Sequence, residues 1–182
     1  AGEQLVASGE AEELRYQHAA YFLPLAQQAV SQLRGPNQMI WLKRLEREHD
    51  NMRAAMAWAQ HRHEVELGLR LSGALASFWY RHSHIREGST WLQTFLRQDD
   101  EEGQPMTPAS LVLARACAVS GAGELAYRCG RFREAAYLNG RAVELYRAAG
   151  DRWGEAWALN NLGITSAFFS DRGTAKVTLE TS

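Results

Sequence analysis

Three sets of residues in this sequence have types and spacings that could do chemistry. Histidine supplies the first. His49 stands beside Asp50 and Asn51, and two pairs, His61-x-His63 and His82-x-His84, repeat a two-residue step. A His next to a carboxylate suggests acid–base work, and closely spaced histidines suggest zinc, which takes four N, O or S ligands. On a helix, however, residues one or two apart do not share a face. The two pairs flank one predicted helix of about twenty residues, which at 1.5 Å per residue separates them by roughly 30 Å. They cannot form one four-ligand site, and no His-Glu-x-x-His occurs. Solvated loop histidines and no metal site are expected, and His49, in an apolar seam, reads as a hydrogen-bonded structural residue.

The second set imitates a dinucleotide fingerprint. Leu111-Val112-Leu113 precedes Gly121-x-Gly123-x-x-Ala126, and Glu144 lies about twenty residues on. That chemistry needs a strand ending at the glycines. Thr107-Pro108 instead reads as a helix start, with Thr at the N-cap and Pro at the first helical position. No Gly-Lys-Ser/Thr phosphate loop is present. The third set is Cys117 and Cys129, twelve apart on one predicted helix, roughly 18 Å and beyond disulfide reach. They read as small core or groove residues in a reducing compartment. No nucleophile–base set and no ligand set survives. No catalytic residue, metal or cofactor is therefore expected in this segment.

The elements that would position any site are helical throughout. No short window alternates apolar and polar residues, and no Asn-Gly or Asp-Gly hairpin signal occurs. Ala19, Phe22, Ala26, Ala29 and Leu33 form one stripe at steps of three and four. Pro24 lies inside it and should bend that helix or start it late. Gly35-Pro36 should end it, with Gly in a left-handed cap. A second helix carries Leu42, Leu45, His49, Met52, Met56 and Ala59 on one seam. Further helices are expected over about 64–80, 85–97, 107–129, 131–149, 151–169 and from Asp171 onward. The acidic, Gly- and Pro-containing stretch 98–106 is expected to be a linker between helical hairpins in 10–97 and repeats in 107–182.

The strongest signal is an internal repeat. At a shift of forty, Ala116 meets Ala156, Ala118 meets Ala158, Gly123 meets Gly163 and Ala135 meets Ala175. Small residues at fixed offsets in hairpins of this period predict a solenoid, because one hairpin cannot bury its apolar face alone. These offsets resemble the tetratricopeptide repeat. Gly123, Tyr127, Gly130, Ala135 and Ala142 match one full copy. Gly163, Ala175 and Leu179 match a second, in which Ser170 replaces the turn Gly. Ala76, Tyr80, Ser83 and Gly88 match a degenerate third. The resemblance implies an all-α fold, an α-solenoid of antiparallel helical hairpins in a right-handed superhelix. It also implies a concave groove lined by Arg70, Ser77, Tyr80 and Arg81, by Glu124, Tyr127 and Arg128, and by Trp157, Asn160, Ile164 and Phe168. Tyr-Arg recurs at the same two positions of two copies, and both types are enriched at binding hot spots. The Lys-rich clamp of chaperone-binding repeats is absent.

A longer resemblance covers almost the whole chain. "RLEREHDNMRAAMAWA" from Arg44, then "ELGLRLSGALASFWYRHSHIREGSTWL" and "GDRWGEAWALNNLG", are similar to the helical repeat region of bacterial signal-transduction ATPases, the LuxR-type or AfsR-like multidomain transcriptional regulators. Residues 1–9 resemble the tail of a preceding winged-helix segment. The resemblance implies a cytoplasmic interaction or sensor module that contacts protein segments or other modules of its parent regulator, or holds it off. Alternatively it binds a small-molecule effector in the same groove. Any ATP would bind through a module outside this chain.

Composition agrees with that class. The 182 residues carry 20 basic and 21 acidic side chains, a net charge of −1. No global field would draw the chain to nucleic acid or an anionic membrane. No apolar run reaches the ~18 residues of a bilayer span, and no signal segment opens the chain. Beginning at Ala1 and stopping inside a predicted helix, it is expected to be part of a longer protein.

Overall fold

The computed structural model describes residues 10–102 and 109–180, with side chains as far as Phe168. All regular structure among the described residues is helical. In order these are α1 (Glu10–Gln32), α2 (Gln38–Arg47), α3 (His49–Arg62), α4 (Val65–Arg81), α5 (Ile85–Glu102), α6 (Ala109–Arg128), α7 (Phe132–Ala149) and α8 (Arg152–Glu180). The expected stripe of α1 is buried, and so is every member of the Leu42-to-Ala59 seam. The apparent strand at Leu111–Leu113 and both glycines of the fingerprint lie inside α6, which removes the dinucleotide reading.

Four connections share one chemistry. His63, Ser83, Gly130 and Gly150 take positive φ, between 57° and 72°. The next residue's N–H returns to a carbonyl five back: Glu64 to Ala59, His84 to Trp79, Arg131 to Ala126 and Asp151 to Tyr146, at 2.8–3.0 Å. These bonds satisfy helix-terminal carbonyls and turn the chain sharply. Ser83 does this where glycine would be at ease.

The helices pack in sequence. α1 lies on α3 and α4, α4 on α5 and α6, α5 on α6, α6 on α7, and α7 on α8. One core of large side chains, including Leu45, Met56, Leu75, Phe78, Trp79 and Phe95, joins α1–α6. A smaller one at Ala116, Val119, Ala142, Val143, Tyr146 and Ala158 joins α6–α8. Small residues set the closest approaches. A Cβ on Gly73 would sit 3.0 Å from Ala118 N, and one on Gly88 would sit 2.4 Å from the Trp79 ring. α6 is long and apolar enough to cross a membrane, but half of that stretch is buried in this fold.

Several expectations need correction. The second helix is two helices, broken at Glu48, which sits at φ −94°, ψ 4° between them. α1 runs through Pro24 without a late start. Gly35 is not left-handed; its N–H closes an ordinary turn to Gln32 O at 3.2 Å. Residues 98–102, expected in the linker, complete α5. Gln98 Nε2 donates to the Gln60 carbonyl at 3.2 Å, and buried Asp99 takes a two-pronged ion pair from Arg115 on α6. Satisfied polar groups thus carry the helix past the point where acidity suggests an end. The remaining linker residues, Thr107-Pro108 and residues 1–9 lie outside the described residues. α8 is continuous through Ser170, so the last copy contributes one helix and no hairpin. Gly163 faces open space and Ala156 is exposed. Cys129 is exposed as well, so it is no core residue.

Candidate functional site

The groove is built chiefly by α4, α6 and α8, with further residues from α1, the α1–α2 turn and α7. On α4, Arg70, Ser77, Tyr80 and Arg81 follow helical spacing down one face, and Cys117, Glu124, Tyr127 and Arg128 do so on α6. The close approach at Gly73 sets these rows side by side. α8 is aimed by Asp151, whose Oδ1 accepts the N–H groups of Trp153 and Gly154 at 3.1 and 3.0 Å. This caps the helix start and brings Trp153 and Trp157 across the groove, stacked 5.8 Å apart. The Arg34 guanidinium lies 4.4 and 4.5 Å from their ring centres. It thereby closes one side with a cation–π contact.

Two adjoining cavities of about 410 and 310 Å³ result, sharing Arg34, Ser77, Glu124 and Trp157. The first contains Arg70. The second contains Tyr80, Arg81, Tyr127, Arg128, Asn160 and Ile164. Ten of the eleven groove residues expected from the sequence therefore line one continuous concavity. Phe168 stands just beyond them, stacked on Phe132 at 5.3 Å and edge-on to Tyr127 at 5.8 Å. The repeated Tyr-Arg pairs meet in space: Arg128 lies 4.2 Å over Tyr80 and 5.7 Å from Tyr127, and Arg81 lies 4.8 Å from Tyr80.

Burial shifts several ionisable groups in this concavity. Burial raises the Glu124 carboxyl above its ordinary range, against the pull of Arg128, Arg34 and Arg81 and of the Ser77 hydroxyl 3.4 Å away. Burial also raises the Cys117 thiol and the Tyr146 phenol, which share the floor of the larger cavity with Ser120. A thiol held protonated is a poor nucleophile. Arg34, Arg81 and Arg128 thus face a carboxyl with a weakened tendency to ionise.

Sequence reasoning missed Arg34 and Asn139. Arg34 comes from a turn outside the repeat pattern, so no repeat offset points to it. Asn139, on α7, is 1% exposed and lines the second cavity, yet neither its Nδ2 nor its Oδ1 has a hydrogen-bond partner in the protein. Its amide packs against Gly123, where a Cβ would come within 2.8 Å of Oδ1. A buried polar residue opposite the repeat Gly is the signal that could have found it.

Comparison with known proteins gives one relationship. The chain is 32% identical over 116 residues to proteins named "Putative HTH-type transcriptional regulator" in Mycobacterium bovis and in Mycobacterium tuberculosis strain H37Rv. The match takes in 64% of this chain and 13% of each relative's length. No family model matches the chain, and no solved structure does.

Proposed function

We propose that this chain is a non-enzymatic helical-repeat sensor module of a bacterial transcriptional regulator of the LuxR-type or AfsR-like multidomain kind, working in the cytoplasm. Its relatives' names support the regulator context. The packing order supports the tetratricopeptide-like reading. α1, α4 and α6 lie side by side, and α3, α5 and α7 each pair with one of them. The groove binds a small-molecule effector bearing a carboxylate or phosphate. One observation carries this choice: two joined cavities of metabolite size, the second of which brings the Arg34, Arg81 and Arg128 guanidiniums together with an unpartnered buried amide. The occupant's anionic group neutralises Arg81 and Arg128, Asn139 satisfies a donor and an acceptor, and the Tyr and Trp faces take its flat part. Binding ties α8 and the α1–α2 turn to α4 and α6, which supplies a means of signalling occupancy to neighbouring modules.

A second reading, a protein segment of the parent regulator laid along α8, is favoured by Trp153, Ile164 and Phe168, which are 58%, 42% and 47% exposed. Isothermal titration against pools of carboxylate- and phosphate-bearing metabolites tests the primary reading. Saturable heat is expected, falling at least about tenfold in affinity when Tyr127 and Arg128 are both changed to Ala, with helicity retained; two hot-spot residues are worth that much. Unchanged affinity in that variant removes the groove as the binding site.

A further inference from the structure

A second constellation lies on the outer corner of the fold, apart from the groove. The break at Glu48 turns α2 into α3 and places Glu46 and His49 beside the α4–α5 connection, where Ser83 in its left-handed conformation turns His82 and His84 inward. Glu46, His49 and His84 each offer one ligand atom, and the three atoms lie within 4.8 Å of one another. Glu46 Oε2 is 3.1 Å from His82 Nδ1 and 3.2 Å from His84 Nε2. In a tetrahedral zinc site with bonds of about 2.0–2.1 Å, neighbouring ligand atoms stand roughly 3.3 Å apart. The Glu46–His84 edge of such a site is thus already close to length, while His82 Nδ1 holds Glu46 Oε2 in place from outside the three-ligand cluster.

The rings are held in place. His49 and His84 centroids are 4.5 Å apart, and Phe78 packs on His49, His82 and His84 at 5.1, 5.3 and 5.8 Å. His49 is 4% exposed, and its Nε2 has no hydrogen bond, although Glu87 Oε1 lies 3.2 Å away out of line. A buried ring nitrogen without a partner carries a desolvation cost that coordination removes. Glu87 is gripped by Arg53, whose Nε donates to Oε1 at 2.7 Å, and it adds negative charge beside His49 Nε2, which favours a cation there. Two imidazoles and a carboxylate are a borderline N/O donor set, which suits Zn²⁺ over Mg²⁺ or Ca²⁺.

We propose that Glu46, His49 and His84 bind one Zn²⁺-like transition-metal dication, with water completing its coordination, clamping the α2–α3 corner to the α4–α5 corner. The spacing of these histidines along the chain predicted no such site; the helix break and the left-handed Ser83 create it. The test is Zn²⁺ titration of the purified chain at neutral pH by chelator competition, paired with the visible absorption of a Co²⁺ substitute. One equivalent is expected to bind, with the intense visible bands of tetrahedral Co²⁺. His84→Ala and the more exposed Glu46→Gln should each weaken affinity by more than the roughly tenfold that even an outer partner is worth. His61→Ala with His63→Ala should change nothing. Glu46→Gln keeps the test decisive if His84→Ala unfolds. Failure to bind Zn²⁺ at micromolar concentration overturns the site. So does binding that survives Glu46→Gln unchanged, or that disappears with His61 and His63.

Discussion

Glu124 sits among three arginines and yet ionises less readily than an ordinary carboxyl, because burial outweighs their attraction. This has a sign that stability measurements can read. With the folded-state pKa above the unfolded one, the native protein binds the proton more tightly. The penalty is absent at acid pH, and stability falls as pH rises from the ordinary carboxylate range through the raised value. Glu124→Gln keeps the shape and removes the ionisation. The variant is expected to match the parent in urea unfolding near pH 4 and to exceed it near pH 8, by on the order of 1 kcal/mol once solvent screening of this half-buried group is allowed for. A variant less stable than the parent at pH 8 would show that the charged carboxylate holds the groove together. At this scale the sequence was partly legible. Tyr80, Arg81, Tyr127 and Arg128 follow from repeat offsets, whereas Arg34 reaches the site from a turn, and chain spacing carries no information about that contact.

At the scale of elements, the apolar stripes of α1 and of α2–α3 could be read directly, because burial on one face imposes a period near 3.6. The stops were harder. Glu48 breaks a seam that continues in perfect register on both sides, so periodicity does not reveal the break. Gln98–Glu102 looks like a linker by composition, but its side chains find partners on α3 and α6. Ser170 stands where a turn Gly belongs in the repeat, and the helix passes through it. Glycines need the same separation of pattern from contact. Gly88 approaches the buried Trp79 ring too closely for a methyl group, whereas Gly163, the repeat counterpart of the tightly packed Gly123, touches nothing. Gly88→Ala should therefore destabilise by about 1–3 kcal/mol, the usual cost of overpacking. Gly163→Ala, on an exposed helical position, should stabilise by up to about 1 kcal/mol through helix propensity. Thermal unfolding of the two variants decides it; equal effects would contradict the packing described for α4, α5 and α8.

Among the described residues the helices pack in chain order around two cores, with the groove along one side. Helical spacing and the absence of strand signals made the all-helical class visible in the sequence. They could not show where the cavities close, because Trp153, Trp157 and Arg34 meet only after α8 has packed on α7. The six tryptophans report on this arrangement: Trp79 is wholly buried in the core, while Trp153 and Trp157 line the cavities. The most direct measurement is nuclear magnetic resonance of the indole N–H signals during titration with carboxylate- and phosphate-bearing metabolites. Recognition in the groove predicts saturable shifts at Trp153 and Trp157, no shift at Trp79, and loss of the effect when Tyr127 and Arg128 are both Ala. Saturable binding that leaves Trp153 and Trp157 unmoved would contradict it.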